Sequence, residues 1–600
     1  MTSLRCFILY VFLLPLVSTK AQELSANLDS IEIIAPKYLP SSRFATPADS
    51  SGLHLFTLLQ LPGLSINSIG SSGLSTLSNR GMASRHTAIL YEGVPINGLT
   101  TGVFDVSLLP THYFNRSLLY KEGLSSFTGN QAMGGALSLN HQPSGRNELV
   151  SSAQYTSTQN LTLHQLWNGA FNKVRWTLGW ERTHHLNQQQ FYKDLTIMTS
   201  PSFLRRGHNI NGEVDMELGK NHKISAKVWW QNFDREIPGP FYLRVDQFQQ
   251  DKNLRSAFTH SWHKASWQLN SRFVYFNETL NYQSPGVDSR AKTSLFNIKT
   301  TAIFKKIWQL AIALQSENVT ANFYTQSRNR SSMLLSLTRN WKLQHGWIHL
   351  SVSPHLVNNK WMPLHADLRV DYRSFQFIAI RNYNLPGFND LYWPSGGNPK
   401  LKTEKSFQLS AHQLWHASAA LQLKTTLYSY HINDFIQWVP TGNNTWTPLN
   451  RKKIWSRGAE INLGYRPDRM PFLSTFNAHY SFTKATNLDE ASGASRGKQL
   501  IYVPLHKAGL NIKSNFSFLH LDADLIYLGK RFDTTDNFLS LPPAWITGAT
   551  LGVNVNIKKV QMTLDYRIEN PIRAQFELVR SFPMPLRYHT IFLQFKYHPK

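Results

Sequence analysis

The chain has 600 residues, 62 Lys and Arg against 36 Asp and Glu for a formal net charge of +26, 42% hydrophobic residues and 12% aromatics. Such a length can bury a large core, and that many aromatics with only 16% charged residues exclude a disordered chain. A single cysteine, Cys6, excludes a disulfide scaffold and any multi-cysteine zinc or iron–sulfur site.

Residues 1–21 are predicted to be a secretory signal. Arg5 supplies the positive start, residues 6–17 form an apolar stretch, and Thr19-Lys20-Ala21 offers the small-x-small pattern that signal peptidase accepts. Cleavage is expected after Ala21. The apolar stretch is short of the roughly 20 residues a membrane-spanning helix needs. Removing the signal also removes Cys6, which fits a protein of the bacterial envelope. The mature chain keeps a charge of about +24. Its Lys and Arg are scattered singly, which disfavours nucleic acid and points to anionic lipid, lipopolysaccharide or an anionic ligand.

Residues 22–140 read as short mixed elements punctuated by glycine. Residues 53–61 have helix-compatible leucine spacing that stops at Pro62-Gly63, and β-like pieces follow at 87–91 and 118–120. From about residue 150 the period changes to two. Val174, Trp176, Leu178 and Trp180 alternate with Lys173, Arg175, Thr177 and Gly179. Ile224, Ala226, Val228 and Trp230 repeat the pattern, as do Trp267, Leu269, Phe273 and Tyr275. Residues 407–411 and 421–427 read as a hairpin. The pattern alone suits a sandwich or a membrane barrel. Secretion with 17 Trp and 23 Tyr, many at strand ends, favours the barrel. At roughly 20 residues per strand and connection, the 450 or so positions after 150 allow about 22 strands, whose lumen needs a plug.

The N-terminal globule carries an ordered series: Leu61-Pro62-Gly63-Leu64-Ser65-Ile66, Asn79-Arg80-Gly81, Ile89-Leu90-Tyr91-Glu92-Gly93-Val94-Pro95, Lys121-Glu122-Gly123, and residues 127–137 with Gly129, Gly134 and Gly135. In the second part stand Arg235-Glu236-Ile237-Pro238-Gly239, then Phe388-Asn389-Asp390-Leu391-Tyr392-Trp393, and a terminal alternation of Ile591, Leu593, Phe595 and Tyr597. With these motifs the chain resembles a TonB-dependent outer-membrane receptor over essentially its whole mature length. It departs from the family pattern at Glu92, Asn79, Leu124 and Leu586. The resemblance implies a mainly β fold, a transmembrane antiparallel β-barrel of about 22 strands with a small α+β N-terminal plug domain in its lumen. The expected boundaries are 1–21 for the signal, 22–40 for a periplasmic leader, 41–145 for the plug and 146–600 for the barrel.

Asp29-Ser30-Ile31-Glu32-Ile33-Ile34-Ala35 resembles the TonB box, an extended segment that pairs with an edge strand of TonB. Alternating Ile31 and Ile33 give it strand character, Pro36 ends it, and a plain leader remains the alternative. Arg80, Gly81, Glu92, Gly93, Gly123, Gly129, Gly134 and Gly135 are expected to be structural in the plug, with Arg80 and Arg85 bonding wall carboxylates or solvated in loops. Ser68, Ser71, Ser72, Ser75, Thr100 and Thr101 are candidate ligand contacts on plug loops facing outward, with plain linkers as the alternative.

As to ligand, the short plug and compact barrel most resemble cobalamin receptors, with ferric siderophore or haem receptors next; a non-transporting surface binder is the alternative of a different class. The partners implied are TonB at the periplasmic face, a small-molecule nutrient, outer-membrane lipid and lipopolysaccharide, with room for a surface lipoprotein. No cofactor or metal is expected. His184-His185 reads as a solvated loop pair rather than a chelate. Residues 493–499 miss the phosphate-loop spacing and carry Gln499 where a hydroxyl is required, and neither Gly73-Leu74-Ser75 nor Gly123-Leu124-Ser125 completes a nucleophile elbow, so an enzyme is not expected.

Overall fold

The computed structural model describes residues 44–46 and 58–599, apart from 71–72, 111, 116, 142, 144, 195, 441–445 and 468–472. The signal, the TonB-box-like residues 29–35, Ser71 and Ser72 lie outside the described residues, as does most of the predicted helix at 53–61.

Twenty-two antiparallel strands close into a barrel, beginning at Glu148–Thr156 and sealed where the last strand, Tyr588–Tyr597, pairs back onto it, Tyr155 opposite Ile591. Closure leaves no sheet edge unpaired, the condition a β structure must meet to cross lipid. One wall strand is broken at Pro354, which has no N–H for the ladder, into Gly346–Ser353 and His355–Val357. No described helix is long and apolar enough to cross a membrane.

Register shows which face each side chain takes. In His222–Glu236 the adjacent Trp229 and Trp230 point opposite ways: Trp229 is 0% exposed in the lumen and Trp230 is 38% exposed on the outer wall. Outward apolar residues such as Leu178, Val214, Val228, Leu310 and Ile312 form the lipid-facing belt. At one end of the barrel, beside turns of a few residues, exposed aromatics gather: Phe171, Trp267, Trp308, Trp341, Tyr372, Trp415 and Tyr597. The other end carries the long connections 186–204, 237–247, 385–403, 488–505, 529–543 and 570–587. Short turns mark the periplasmic end and long loops the extracellular one, and the aromatics occupy the interface where amphipathic rings settle.

Inside lies a sheet in the order Phe44–Thr46, Ser117–Tyr120, Ala136–Leu139, Ala88–Tyr91, Val94–Pro95, parallel only between Ala88–Tyr91 and Ala136–Leu139. A hairpin, Leu64–Ser68 with Ser75–Asn79, and the short helix Ser125–Thr128 complete it. The predicted β pieces at 87–91 and 118–120 are thus strands. Its apolar residues, among them Leu64, Ile89, Tyr91, Leu119 and Leu137, share one core with wall residues such as Trp229, Val274 and Ile546. Tyr91 and Phe114 meet Trp229 edge-on at 5.6 and 5.3 Å, so this aromatic cluster packs the inner domain against the wall.

Candidate functional site

On the wall side, the inner domain is held by a buried charge cluster. Arg80 grips Glu460 of the strand Trp446–Tyr465 with two bonds, Nε to Oε1 at 2.9 Å and Nη2 to Oε2 at 3.2 Å. Its Nη1 donates to Glu122 Oε1 at 2.9 Å and to the Tyr430 hydroxyl, and the guanidinium stacks 4.5 Å from the Tyr428 ring. Lys121 Nζ donates to Glu460 Oε2 at 2.7 Å, and His412 Nε2 stands 3.2 Å from Glu122. Two cations and two anions therefore balance in a space that holds almost no exposed area, the condition under which buried charges are tolerated. Burial pulls the Lys121 ammonium down to about 8 against the opposing pull of Glu460. Burial pushes the Glu122 carboxyl up, but Arg80 and His412 outweigh it and hold it well below the usual carboxylate range.

Arg85 makes a second clamp. It pairs with Asp390 and its Nε lies 3.8 Å from Glu404 Oε2, while His86 Nε2 is 2.9 Å from the same oxygen. Both arginines thus bond wall or loop carboxylates. A third pair, Asp105 with Arg235, and a fourth, Lys227 Nζ 3.0 Å from Glu92, fasten the opposite side.

Glycine is required where the inner domain touches the wall. Gly81 has φ +71° and a Cβ there would stand 2.6 Å from the Ala485 Cβ. Gly123, whose N–H donates to Gln408 Oε1, leaves no room for a side chain beside Asn382 Nδ2. Gly93 lies against Arg272, Gly129 ends the Ser125–Thr128 helix, and Gly134 and Gly135 bond the backbone of His86 and Ala88.

The candidate ligand residues separate. Ser68 and Ser75 are not on an open loop: they face each other across the hairpin, Oγ to Oγ at 2.7 Å, both buried. They line a chamber of about 220 Å³ with Ser107, Arg205, Arg567 and Tyr588. Met584 and Pro585 of the connection 570–587 are also at its wall. That connection is locked to two others, since Gln189 and the Tyr242 hydroxyl both donate to Pro583 O, at 2.9 and 2.5 Å. Thr100 lies elsewhere, under the connection 385–403: Asn389 N donates to Thr100 O at 3.0 Å and Phe388 N to Leu99 O at 3.2 Å. Thr101 beside it is exposed. The motif residues 388–393 include a short helix, Phe388–Tyr392, seated on the inner domain, with Asp390 bonded by both Arg85 and Trp438 Nε1. His184 and His185 end a strand, not a loop, and alternate outward and inward, so one ion cannot bind both.

Glu460, Tyr430 and Gln189 escaped sequence reading, and Asp390 was seen only as one residue of a motif. An inward acid in a period-two strand looks like any other lumenal polar residue, and only the closed barrel brings it to Arg80.

A family model of the TonB dependent receptor-like β-barrel matches residues 103–570, and one of the TonB-dependent receptor plug domain matches residues 56–136. The chain belongs to the TonB-dependent receptors. It is a receptor of the Gram-negative outer membrane. Among curated relatives, the vitamin B12 transporter BtuB of Vibrio vulnificus is 24% identical, over 76% of this chain and 79% of that protein. The vitamin B12 transporter BtuB of Photobacterium profundum is also 24% identical, over 80% of each. Among solved structures, the siderophore receptor PirA of Acinetobacter baumannii superimposes with a TM-score of 0.77 at 11% identity, covering 93% of this chain and 98% of that one. The ferric enterobactin receptor PfeA of Pseudomonas aeruginosa gives 0.74 at 12% identity, covering 92% and 96%. These two show the shared fold.

Proposed function

We propose that this receptor imports a scarce, large nutrient of the cobalamin type, energised through TonB. The observation that carries the ligand class is the similarity to two vitamin B12 transporters across about four fifths of the chain. The coupling follows from location: the outer membrane has no nucleotide supply, so uptake against a gradient draws energy from the periplasmic side. Residues 29–35 are the segment for that contact, Ile31 and Ile33 pairing as a strand with TonB. At about 220 Å³ the chamber holding Ser68 and Ser75 is below the size of a drug-sized ligand pocket, so the connections locked at Pro583 separate to admit a large nutrient. Arg205, Arg567 and the hydroxyls then face the ligand, while Thr100 reports the position of the connection 385–403.

A ferric siderophore receptor is the second reading, favoured by the solved structures of that kind that share the fold. Calorimetry of the purified protein with cobalamin, a panel of ferric siderophores and haem separates the two: saturable cobalamin binding is expected, and binding only to an iron chelate reassigns the ligand. Ile33→Pro is expected to abolish uptake and leave surface binding intact; loss of neither would make the protein a non-transporting binder.

A further inference from the structure

Arg205 and His185 are end residues of the strands Arg205–Leu218 and Val174–His185, paired in register at the loop end of the wall. Both line the chamber that holds Ser68 and Ser75. Beside them stands Ser107, in the short helix Val106–Leu108 of the inner domain, its N–H donating to the Asp105 side chain at 3.0 Å. Arg205 directs its two terminal nitrogens at neutral acceptors: Nη1 donates to Ser107 O and Nη2 to His185 Nδ1, both at 3.0 Å. Its Nε has no acceptor and the Ser107 hydroxyl has no partner, although both atoms are shielded from solvent.

Other ions lining the chamber are matched. Arg567 bonds Glu569 at 2.6 Å and Asp524 at 2.7 Å, and Asp565 stands 3.0 Å from His520. Arg205 has no carboxylate within 4 Å among the described residues. The two acids whose field reaches it, Asp105 and Glu181, are bonded to Arg235 and to Asn209. A guanidinium in such a place is costly without a counter-ion. It carries donors only, so whatever completes this corner brings an acceptor, and the planar fork favours an oxyanion over a neutral carbonyl.

We propose that this corner binds an oxyanion of the imported nutrient, with Arg205 and the Ser107 hydroxyl donating to it, and that in a nutrient of the cobalamin type this group is the phosphodiester of the nucleotide loop. The inference rests on the cobalamin reading above and adds to it the residue that selects the ligand's charge. The amides around a corrin ring bring donors and acceptors alike and suit the chamber's hydroxyls. The phosphodiester is the fixed oxyanion of such a molecule, and a chamber of about 220 Å³ takes that fragment rather than the whole ring. Because Arg205 belongs to the wall and Ser107 to the inner domain, the bound oxyanion bridges the two.

The test titrates the full-length, detergent-purified protein by calorimetry with cobalamin, with cobinamide, which lacks the nucleotide loop, and with cobinamide phosphate, which differs from cobinamide by the phosphate alone. Wild type should bind cobinamide phosphate on the order of tenfold more tightly than cobinamide, the worth of a charge-assisted hydrogen bond. In R205A that ratio should fall to within about twofold, and cobalamin should weaken by the same factor as cobinamide phosphate. R205K, which keeps the charge without the fork, should fall between, and S107A should lower the ratio about threefold. A variant that has only lost its fold weakens all three ligands and keeps the wild-type ratio. That result in R205A overturns the proposal, as does a wild-type protein that binds cobinamide and its phosphate equally. Binding of no corrinoid overturns the cobalamin reading itself, and this inference with it.

Discussion

Arg80 sits where four other polar groups converge, and none of them has water to fall back on. Replacing it with alanine leaves Glu460 with Lys121 and Glu122 with His412, so the expected cost is about 3–5 kcal/mol of inner-domain docking. Faster proteolysis of the inner domain in R80A, with barrel strands intact by circular dichroism, checks this. His112 makes a pH prediction. It packs between His164 and Phe592, and burial lowers its pKa to about 4 against an ordinary 6.5. The unfolded chain then binds more protons than the folded one between those values, so stability is complete above about pH 6.5 and falls as pH drops toward 4. Thermal unfolding across that window should show the loss, and His112→Gln should flatten it. Sequence alone singled out Arg80, in the motif Asn79-Arg80-Gly81, and Arg85 shortly after it. It did not single out His112, whose burial depends on a wall strand more than 400 residues away.

At the scale of elements, the outer strands were legible because lipid and lumen impose opposite demands on alternate residues, as Trp229 and Trp230 show. The connections were not. Residues 388–393 were visible as a motif, yet that they include a short helix resting on Thr100 follows from the closed barrel bringing the connection 385–403 over the inner domain. The Arg85–Asp390 clamp joins that connection to the inner domain, and breaking it with Asp390→Asn is expected to increase proteolysis within 385–403 while the Arg80 cluster stays intact. Charge-assisted bonds of this kind contribute about 1.5–3 kcal/mol. Equal protection of the connection in wild type and variant would show that its backbone bonds to Leu99 and Thr100 suffice.

For the whole molecule, the barrel is a container whose transport depends on what fills it. A 22-strand barrel is wide enough for a plugged lumen, and the inner sheet occupies it through shared core and paired charges. Deleting residues 41–145, the boundaries expected from sequence, should convert the receptor into an open pore with increased permeability to small solutes in reconstituted vesicles. Unchanged permeability would mean that the wall and loops alone close the channel. The sequence by itself determined the class of fold, the number of strands to within the precision of chain length, the presence of an N-terminal inner domain and the family, because period-two patterning and glycine-bound motifs are local and survive without a partner. Only the tertiary structure decided which carboxylates meet Arg80 and Arg85, and that Ser68 and Ser75 are buried against each other at the wall of a chamber. Those facts depend on strand register and barrel closure, which join residues hundreds of positions apart and leave no trace in the spacing of either.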